Sequence, residues 1–283
     1  ITSFIMMGFI FVTISALFHA GWNVLLKKSK AKFRFNMNMH MASVLIFTVI
    51  LLIFYRDIIS FAPDVMLSGL IAAVFFATYH LFVAKAYELS DVSQVYPITT
   101  SSPLFVTMWA AIFLGEHITF LGVVGVLVTI AGCFIMNGAS LGKLSLNAGV
   151  LMALASAFAY SFGALFDKVG VNTGNPVMYT YWMNFFMTSF FVLMHFLKHK
   201  AEKPCKDDRK YILIAGVVIV ASSLTYRFGI IEMPISYAVA VRQISGLFGV
   251  LMGIIFFHEG YGWKRIIGAL VIISGILLLR LGI

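Results

Sequence analysis

The sequence predicts an all-α membrane protein with ten transmembrane helices that form two inverted five-helix repeats. Hydrophobic residues make up 61% of the 283 positions, and the mean hydropathy is +0.99. A soluble domain typically has about 45–50% apolar residues and about twice the charged fraction found here. The second half of the chain also repeats polar and small residues of the first half in the same order. Together these observations favour a polytopic fold built from two related halves.

Apolar runs of the length that a membrane requires divide the chain into ten segments. A transmembrane helix needs about 20 predominantly apolar residues. The predicted spans are residues 4–26, 36–55, 66–87, 95–114, 119–137, 147–168, 177–197, 211–231, 236–257 and 264–281. The longest polar interval, from His199 to Lys210, is too short to fold alone. We therefore expect no soluble catalytic or nucleotide-binding domain beside the helices.

The two repeats are predicted to comprise residues 1–139 and 140–283. Equivalent positions include Ser15 and Ser156, Lys27 and Lys168, Glu116 and Glu259, Gly125 and Gly268, and Gly132 and Gly275. Because each repeat holds an odd number of spans, the second enters the membrane from the opposite side. The halves are then related by a pseudo-two-fold axis in the membrane plane, which is typical of secondary transporters that move around a shared central site.

Basic residues are distributed unevenly between the two sides of the predicted membrane. Fifteen of the 20 Lys and Arg residues fall on one side, against Arg56, Lys168 and Arg280 on the other. The positive-inside rule would place both termini outside the cell. Since these bases lie at membrane edges, where they meet anionic headgroups, the net charge of +9 does not predict a nucleic-acid partner.

Glycines at regular spacing predict close contacts between helices. Gly122 and Gly125 in span five and Gly268 and Gly275 in span ten would let two backbones approach, which is a common basis of helix association in lipid. These glycines either pack the helices within one subunit or form a dimer face. The oligomeric state is therefore predicted to be a monomer or a homodimer.

The sequence has no pattern that indicates an enzyme, a metal site or a cofactor. No GxSxG motif and no histidine pair at metal-ligand spacing occurs within a span. The glycines near Lys143 lack the spacing and the hydroxyl residue of a phosphate-binding loop. We expect no catalytic residue, no metal and no cofactor, although an integral-membrane enzyme remains the rival class.

Charged side chains inside the spans are the first candidates for a binding site, because burying one in hydrocarbon is costly. All eleven acidic residues are predicted to lie in loops or within about a turn of a span end, which disfavours a carboxylate relay. Arg227 is expected to anchor at the headgroups. Arg242, beside Gln243, either pairs with Glu232 or Glu88 and snorkels, or holds a substrate carboxylate, sulfonate or phosphonate.

Other polar and aromatic residues could complete a central pocket. His19 and Asn23 share one face of span one with Trp22 beside them, and His80 follows Tyr79 within span three. The predicted substrate-binding residues are His19, Trp22, Asn23, Tyr79, His80, Tyr96, Tyr160, Arg242 and Gln243. The alternative for His19 is a structural hydrogen bond to a backbone carbonyl.

An aromatic box is a further hypothesis. Tyr96, Tyr160 and the Tyr181, Trp182 and Asn184 group could hold an ammonium by cation–π attraction. Such a box together with an arginine would suit a zwitterion.

Spans four and nine carry two further features that the repeat makes equivalent. Pro103 is predicted to kink span four, and its counterpart Gly246 marks a second weak point that a rocking mechanism could use. Glu116 and Glu259 end the same two spans, either as interfacial caps of the next helices or as a pair of gate residues.

The chain resembles the ten-helix EamA-type branch of the drug/metabolite transporter superfamily. The resemblance rests on the doubled five-helix repeat, on Leu114-Gly115-Glu116 and its counterpart Phe257-His258-Glu259, and on Tyr96-Pro97. The shorter small multidrug resistance transporters carry a proton-exchanging glutamate in the first helix. The position matching that glutamate is His19 here, and the small polar residue and the lysine that follow it are matched by Asn23 and Lys27.

The resemblance implies a multi-pass protein of the bacterial inner membrane with a cavity that opens alternately to each face. It also implies cytoplasmic termini, opposite to the charge count. The expected function is secondary transport of a small organic metabolite, anionic or zwitterionic, with the lipid bilayer as the other partner. The alternatives are a drug or quaternary-amine transporter with an aromatic cation site, and a flippase for a lipid-linked substrate.

Overall fold

Helices form all the regular secondary structure in the part of the chain that the computed structural model describes, residues 2–29, 31–90, 95, 98–136, 147–198, 208–257 and 262–282. The helices are α1 (Thr2–Lys28), α2 (Lys32–Phe54), α3 (Pro63–Leu89), α4 (Ser102–Phe113), α5 (Phe120–Met136), α6 (Ala148–Thr173), α7 (Pro176–Lys198), α8 (Asp208–Glu232), α9 (Ile235–Arg242), α10 (Ile244–Phe257) and α11 (Trp263–Leu281). A short 3₁₀ helix, Arg56–Ile58, follows α2. The all-α prediction is confirmed.

Seven of the described helical segments are long and apolar enough to cross a membrane. These are α1, α2, α3, α6, α7, α8 and the segment formed by α9 and α10. The helices α4 and α5 are apolar but shorter. Large hydrophobic side chains remain exposed along the helices, for example Leu45 and Phe54 on α2, as expected of surfaces that face lipid.

Helix packing follows the repeat. The helices α1, α2, α3, α4 and α5 correspond to α6, α7, α8, α9–α10 and α11. Helix α3 packs along α6 and also contacts α7, just as its counterpart α8 packs along α1 and contacts α2. The pairs α2–α7 and α5–α11 each join two equivalent helices, and α4 contacts α9, so that span four meets span nine. The strongest contacts therefore run between the halves, which are intertwined around one pseudo-two-fold axis. The boundary predicted at residues 139 and 140 lies outside the described residues.

The glycine seam is used within one subunit. A Cβ atom added to Gly125 would lie 2.9 Å from the carbonyl oxygen of Gly275, and one added to Gly132 would lie 2.8 Å from that of Gly268. Distances this short leave no space for a side chain, so α5 and α11 pack backbone against backbone. The alternative that these glycines form a dimer face is wrong, since the partner helix of the same chain covers them.

Spans four and nine are both interrupted, at positions that the repeat makes equivalent. A turn at Thr100 and Ser101 precedes α4, and Gln243 separates α9 from α10. Thr100 and Gln243 are 143 residues apart, the same offset as between Glu116 and Glu259. At both interruptions tight turns bind backbone groups: the amide of Ser101 donates to the carbonyl of Ile98, and that of Gln243 to the carbonyl of Ala240, each at 3.1 Å.

The interruption of span four lies in the turn directly before Pro103. A proline has no N–H group to donate to a carbonyl of the preceding turn, and the helix breaks at Thr100 and Ser101 before α4 begins. In the second half, the amide of Gly246 donates to the carbonyl of Gln243 at 3.0 Å, a tight turn that restarts the helix. The predictions of paired weak points and of an irregularity caused by Pro103 agree with this geometry.

A buried ion pair joins α6 and α8. The Nη2 atom of Arg227 lies 2.9 Å from Oδ1 of Asp167, with side-chain exposures of 3% and 1%. The Tyr179 hydroxyl of α7 donates to the same oxygen at 2.8 Å. Two predictions are corrected here: Arg227 does not anchor at headgroups, and Asp167 is buried inside α6, which extends to Thr173. The charge of the arginine is compensated by its partner.

The turn between α8 and α9 is held by two charged residues, Glu116 from the loop after α4 and Lys168 from α6. The Glu116 carboxylate accepts hydrogen bonds from the amide of Ile235 at 2.7 Å and from the Ser236 hydroxyl at 2.6 Å, which caps α9. The ammonium of Lys168 donates to the carbonyls of Ile230 and Met233 at the end of α8. Glu116 is thus a helix cap, although for α9 rather than for the next helix. Glu259 lies outside the described residues.

Candidate functional site

The candidate site is centred on Arg242, the last residue of α9, directly before the interruption of span nine. Its side chain is partly buried. No carboxylate lies within ion-pair distance of it among the described residues, so it pairs with neither Glu232 nor Glu88. An arginine inside a membrane segment without an anionic partner is costly, and such residues mark binding sites and pathways.

Arg242 makes two side-chain contacts. The guanidinium carbon lies 4.1 Å from the centre of the Tyr226 ring of α8, within the range of a cation–π interaction. The Nη2 atom lies 3.3 Å from Nδ1 of His19 on α1. These contacts involve one face and one N–H group of the guanidinium, and the other N–H groups have no hydrogen-bond acceptor in the described part of the chain.

Tyr226 contributes an unpaired polar atom. Its side chain is buried, and its hydroxyl has no hydrogen-bond partner among the described residues. Leaving a buried hydroxyl unpaired costs about 1–3 kcal/mol. Because this unpaired hydroxyl lies beside an arginine, the site fits a ligand whose anionic group accepts a hydrogen bond from it. Sequence analysis did not include Tyr226 among the predicted site residues.

His19 is fixed by its neighbours on both sides. An arginine can only donate, so Nδ1 of His19 is the acceptor of the contact with Arg242. The neutral imidazole then carries its proton on Nε2. The Trp22 ring meets the imidazole edge-on at 5.0 Å. The alternative that His19 bonds to a backbone carbonyl is not what its described contacts show.

A second group of predicted residues assembles between α3 and α6. Tyr160 meets Tyr79 at 5.2 Å and Phe76 at 5.4 Å, both edge-on. The ring of His80 lies 4.9 Å from that of Tyr79. Two aromatic rings of α3, Phe76 and Tyr79, therefore contact the Tyr160 ring, although sequence analysis did not single out Phe76.

The two groups are neighbours within the bundle. Arg242 interacts electrostatically with Tyr160 as well as with Tyr226 and His19. His80 interacts electrostatically with His19. The structure thus brings six of the nine predicted residues together: His19, Trp22, Tyr79, His80, Tyr160 and Arg242.

The other three predicted residues are placed differently. The amide of Asn23 donates to the carbonyl of His19 at 2.7 Å, within α1, and its side chain is exposed. Gln243 faces α5, where its Oε1 accepts from the Cys133 thiol at 3.8 Å. Tyr96 lies outside the described residues. Neither Asn23 nor Gln243 has a described contact with Arg242.

The larger aromatic box is not formed as the sequence suggested. The Tyr181 hydroxyl lies 3.1 Å from Oγ1 of Thr48 on α2. The Trp182 indole donates to the carbonyl of Ser60 at 3.0 Å. These residues of α7 are engaged by α2 and the segment after it, so only Tyr160 remains of the box in the described residues, with Phe76 and Tyr79 as its actual neighbours.

Two polar residues lie at the α2–α7 contact, of which sequence analysis named Asn184 but not His40. His40 lies 5.0 Å from the Phe191 ring, which also meets His80 at 5.7 Å. The Nδ1 atom of His40 and the Nδ2 atom of Asn184 are buried without a hydrogen-bond partner in the described part of the chain. A single histidine in span two does not by itself indicate a site, because the second repeat has no histidine at the equivalent position.

The arrangement is a polar interior within an apolar bundle. It offers a permanent cation, unpaired donors and an aromatic group, all carried by helices of both repeats. Such a site can hold a small organic ligand with an anionic group, and it offers no nucleophile with an adjacent base.

Comparison with known proteins agrees with this architecture. The model of the EamA-like transporter family matches residues 6–138 and 147–281, once for each repeat. An uncharacterized transporter of Archaeoglobus fulgidus is 28% identical over 106 residues, which span 37% of this chain and 37% of that protein. The chain therefore aligns with about a third of this relative.

A solved crystal structure has the same fold over nearly the whole chain. It superposes with a TM-score of 0.76, covering 99% of this chain and 96% of the other, at 17% sequence identity. The family match covers both five-helix repeats, and the helices are those of a multi-pass integral membrane protein. The chain belongs to the EamA-like transporter family.

Proposed function

We propose that this protein is a secondary carrier for a small organic metabolite with an anionic group, and that Arg242 binds that group. The observation that carries the proposal is the environment of Arg242. Its guanidinium is positioned by Tyr226 and His19, and the described residues bring no carboxylate to it. An anionic substrate would supply the missing charge through bidentate hydrogen bonds.

A zwitterion fits the site better than a simple cation. The Arg242 charge repels a second cation at short range, which argues against a quaternary amine bound alone. If the anionic end occupies Arg242, an ammonium at the other end can lie against the rings of Phe76, Tyr79 and Tyr160. The substrate class is therefore a small acid or a zwitterion.

Movement of the substrate follows from the inverted repeats. The site is built by α1 and α3 of the first repeat and by α6, α8 and α9 of the second, so a rocking of one half against the other would open it to either face. The interruptions at Thr100 and Gln243 provide equivalent flexible points in both halves. Alternating access around Arg242 is the mechanism that we propose.

A flippase is less well supported. A groove of about 730 Å³ opens between α2 and α7, and its lining includes Leu45, Phe185 and Leu193. A headgroup pathway would need basic residues along such a groove, and residues 27–34 are not part of its lining. The groove fits an ordinary lipid contact better than the path of a charged headgroup.

Thermal stabilisation of the purified protein tests the proposal. The ligands are amino acids, quaternary amines, phosphonates and nucleobases, and the variants are Arg242→Ala and, as a matched control, Arg280→Ala at an exposed position of α11. We expect an acidic or zwitterionic ligand to stabilise the parent and the control but not Arg242→Ala. Stabilisation only by cations, equal in all three proteins, would contradict the proposal.

A further inference from the structure

We propose that His40 and Asn184 form the second end of the substrate site, where they bind a carboxamide group of the substrate. The proposal rests on the proposed function, since it places this group on the same molecule whose acid binds Arg242. It narrows the substrate class to an acid with a neutral carboxamide at its other end. The argument starts from two polar atoms that the fold leaves unpaired.

The two atoms are Nδ1 of His40 on α2 and Nδ2 of Asn184 on α7. Neither has a hydrogen-bond partner in the described part of the chain. Both residues are nonetheless buried, with exposures of 7% and 3%. A protein interior leaves few buried polar groups unpaired, because each of them has lost its hydrogen bonds to water. The two atoms therefore indicate a partner that is not part of the fold.

His40 and Asn184 lie close together because Thr188 joins them. The Thr188 hydroxyl lies 2.7 Å from the carbonyl oxygen of Asn184 and 3.3 Å from that of His40. Asn184, Thr188 and Phe191 are spaced four and three residues apart, which places them on one face of α7. The centres of the Phe191 and His40 rings are 5.0 Å apart. His40, Asn184 and Thr188 thus form one polar patch between α2 and α7.

The polar patch adjoins the site around Arg242 through His80 of α3. The Phe191 ring meets the His80 ring edge-on at 5.7 Å, so both histidines contact the same aromatic side chain. His80 also interacts electrostatically with His40 and with His19. Since His19 lies 3.3 Å from Arg242, the polar residues form a continuous row from α9 to α2. One elongated ligand can contact both ends of this row.

The two unpaired atoms face this interior rather than the lipid. Thr188 is part of the lining of the groove between α2 and α7, whereas His40 and Asn184 are not. A lipid chain in the groove would also bring no donor or acceptor, since hydrocarbon has neither. The missing hydrogen bonds are therefore to be made from the side of α3, where the substrate site lies.

The chemistry of the polar patch favours a neutral group. Among the described residues, His80 is the one ionisable group that interacts electrostatically with His40. A charge bound at the patch would be buried without a counter-charge, which is costly. A carboxamide avoids this cost and offers an acceptor beside a donor. Its carbonyl oxygen accepts from Asn184, and its N–H group donates to His40 in the tautomer that carries its proton on Nε2.

The experiment compares the affinities of two series of acids for the detergent-purified protein. Succinamate, glutaramate and adipamate carry a carboxylate and a terminal carboxamide, and differ in length by one methylene group each. Every member is paired with the acid in which an isopropyl group, of nearly the same shape, replaces the carboxamide. We expect the parent to prefer the amide by about tenfold or more at the length that spans the row, because the isopropyl group leaves both polar atoms unpaired.

Two substitutions assign the preference to its residues. Asn184→Leu and His40→Phe remove the unpaired atoms with little change of shape, so neither should lower the stability of the ligand-free protein. We expect the preference for the amide to fall by about tenfold in each variant, while the isopropyl acids bind at least as tightly as to the parent. The control is Ser189→Ala, at an exposed residue of α7 whose hydroxyl donates to its own helix, and it should keep the preference.

The outcomes separate this inference from the proposed function. Arg242→Ala should bind both series more weakly, because both depend on the carboxylate. If the parent binds the two acids of every pair equally, or if either variant of the polar patch retains the preference, the carboxamide site is wrong while the anion site stands. If no acid binds the parent, or if Arg242→Ala binds both series as tightly as the parent, the anion site is wrong and this inference with it.

Discussion

Two arginines, Arg227 and Arg242, lie inside the helix bundle, and among the described residues only Arg227 has an ionic partner. Arg227 on α8 is buried, paired with Asp167 and stacked near Tyr179, so its charge is fully compensated. Arg242 on α9 contacts only a neutral imidazole and an aromatic face among the described side chains. The same residue type thus serves the fold in one place and is open to a ligand in the other.

The difference shows how function can be recognised in a membrane interior. A charge that is costly in hydrocarbon is retained either because a partner of the same chain offsets it or because a ligand does. Burial alone would have selected Arg227 as the more unusual residue. The absence of a described carboxylate near the other arginine selects Arg242 instead.

The largest effect is expected from removing the partner of Arg227. Asp167→Ala leaves a guanidinium buried without compensation, which should cost about 3–5 kcal/mol of stability and much of the folded yield. The matched control is Lys85→Ala, which breaks an exposed pair with Glu88 and should cost at most about 1 kcal/mol. Thermal unfolding in detergent measures both. Equal losses would show that the buried pair is not structural.

The substitution of tyrosine by phenylalanine at two positions sharpens the comparison, because it should lower the stability at Tyr179 and raise it at Tyr226. Tyr179→Phe removes a hydroxyl that donates to Asp167 at 2.8 Å and should cost about 1.5–3 kcal/mol. Tyr226→Phe removes an unpaired buried hydroxyl, so the ligand-free protein should become more stable by about 1 kcal/mol. The same variant should bind the anionic ligand less tightly.

These two melting temperatures need no ligand to be informative. A loss of stability in Tyr226→Phe comparable to that in Tyr179→Phe would mean that the Tyr226 hydroxyl is satisfied in the fold. The Tyr226 hydroxyl would then not be available to a ligand at Arg242.

A third charged residue, Glu116, resembles Arg227 in that its charged group is bound by other residues of the fold. Glu116 caps α9 with hydrogen bonds to the amide of Ile235 and to Ser236. Glu116→Ala should therefore cost about 1–2 kcal/mol, as the loss of a helix cap does. Asp57→Ala, at an exposed residue of the 3₁₀ helix, is the control with little expected effect. An unchanged unfolding temperature in both variants would show that the Glu116 cap does not stabilise the protein.

The smallest effect is expected at Asn23, one turn after His19 on α1. Its amide bonds to its own helix and its side chain is exposed. Asn23→Ala should change stability by no more than about 0.5 kcal/mol and leave the affinity for an anionic ligand within about twofold of the parent. Ligand titration measures the second value. A large loss of affinity would extend the site beyond Arg242 and its contacts.

The spans and the repeat could be predicted from sequence because both depend on local composition. Apolar runs define a helix without reference to its neighbours, and equivalent residues such as Glu116 and Glu259 stand at a fixed offset. Paired weak points in spans four and nine could also be predicted, because a proline disrupts the helical turn before it and span four breaks in the turn before Pro103.

The ionic partners could not be predicted, because pairing depends on which helix faces which. Asp167 appeared to lie at the end of span six, and only the extension of α6 to Thr173 buries it opposite Arg227. One signal was present in the sequence: an acid and an arginine in two spans of the same repeat, each too costly to bury alone. The side chains of His40 and Asn184 gave no such signal.

Anomalous diffraction from crystals grown with bromomethanesulfonate would test the central claim most directly, since the bromine atom marks the position of the anion in any pose. We predict a bromine peak beside Arg242, within reach of Tyr226 and His19, which is absent in crystals of Arg242→Gln. No peak is expected beside Arg227. Bromine only at the exposed basic residues, or a peak that persists in the variant, would contradict the assignment of Arg242 as the anion site.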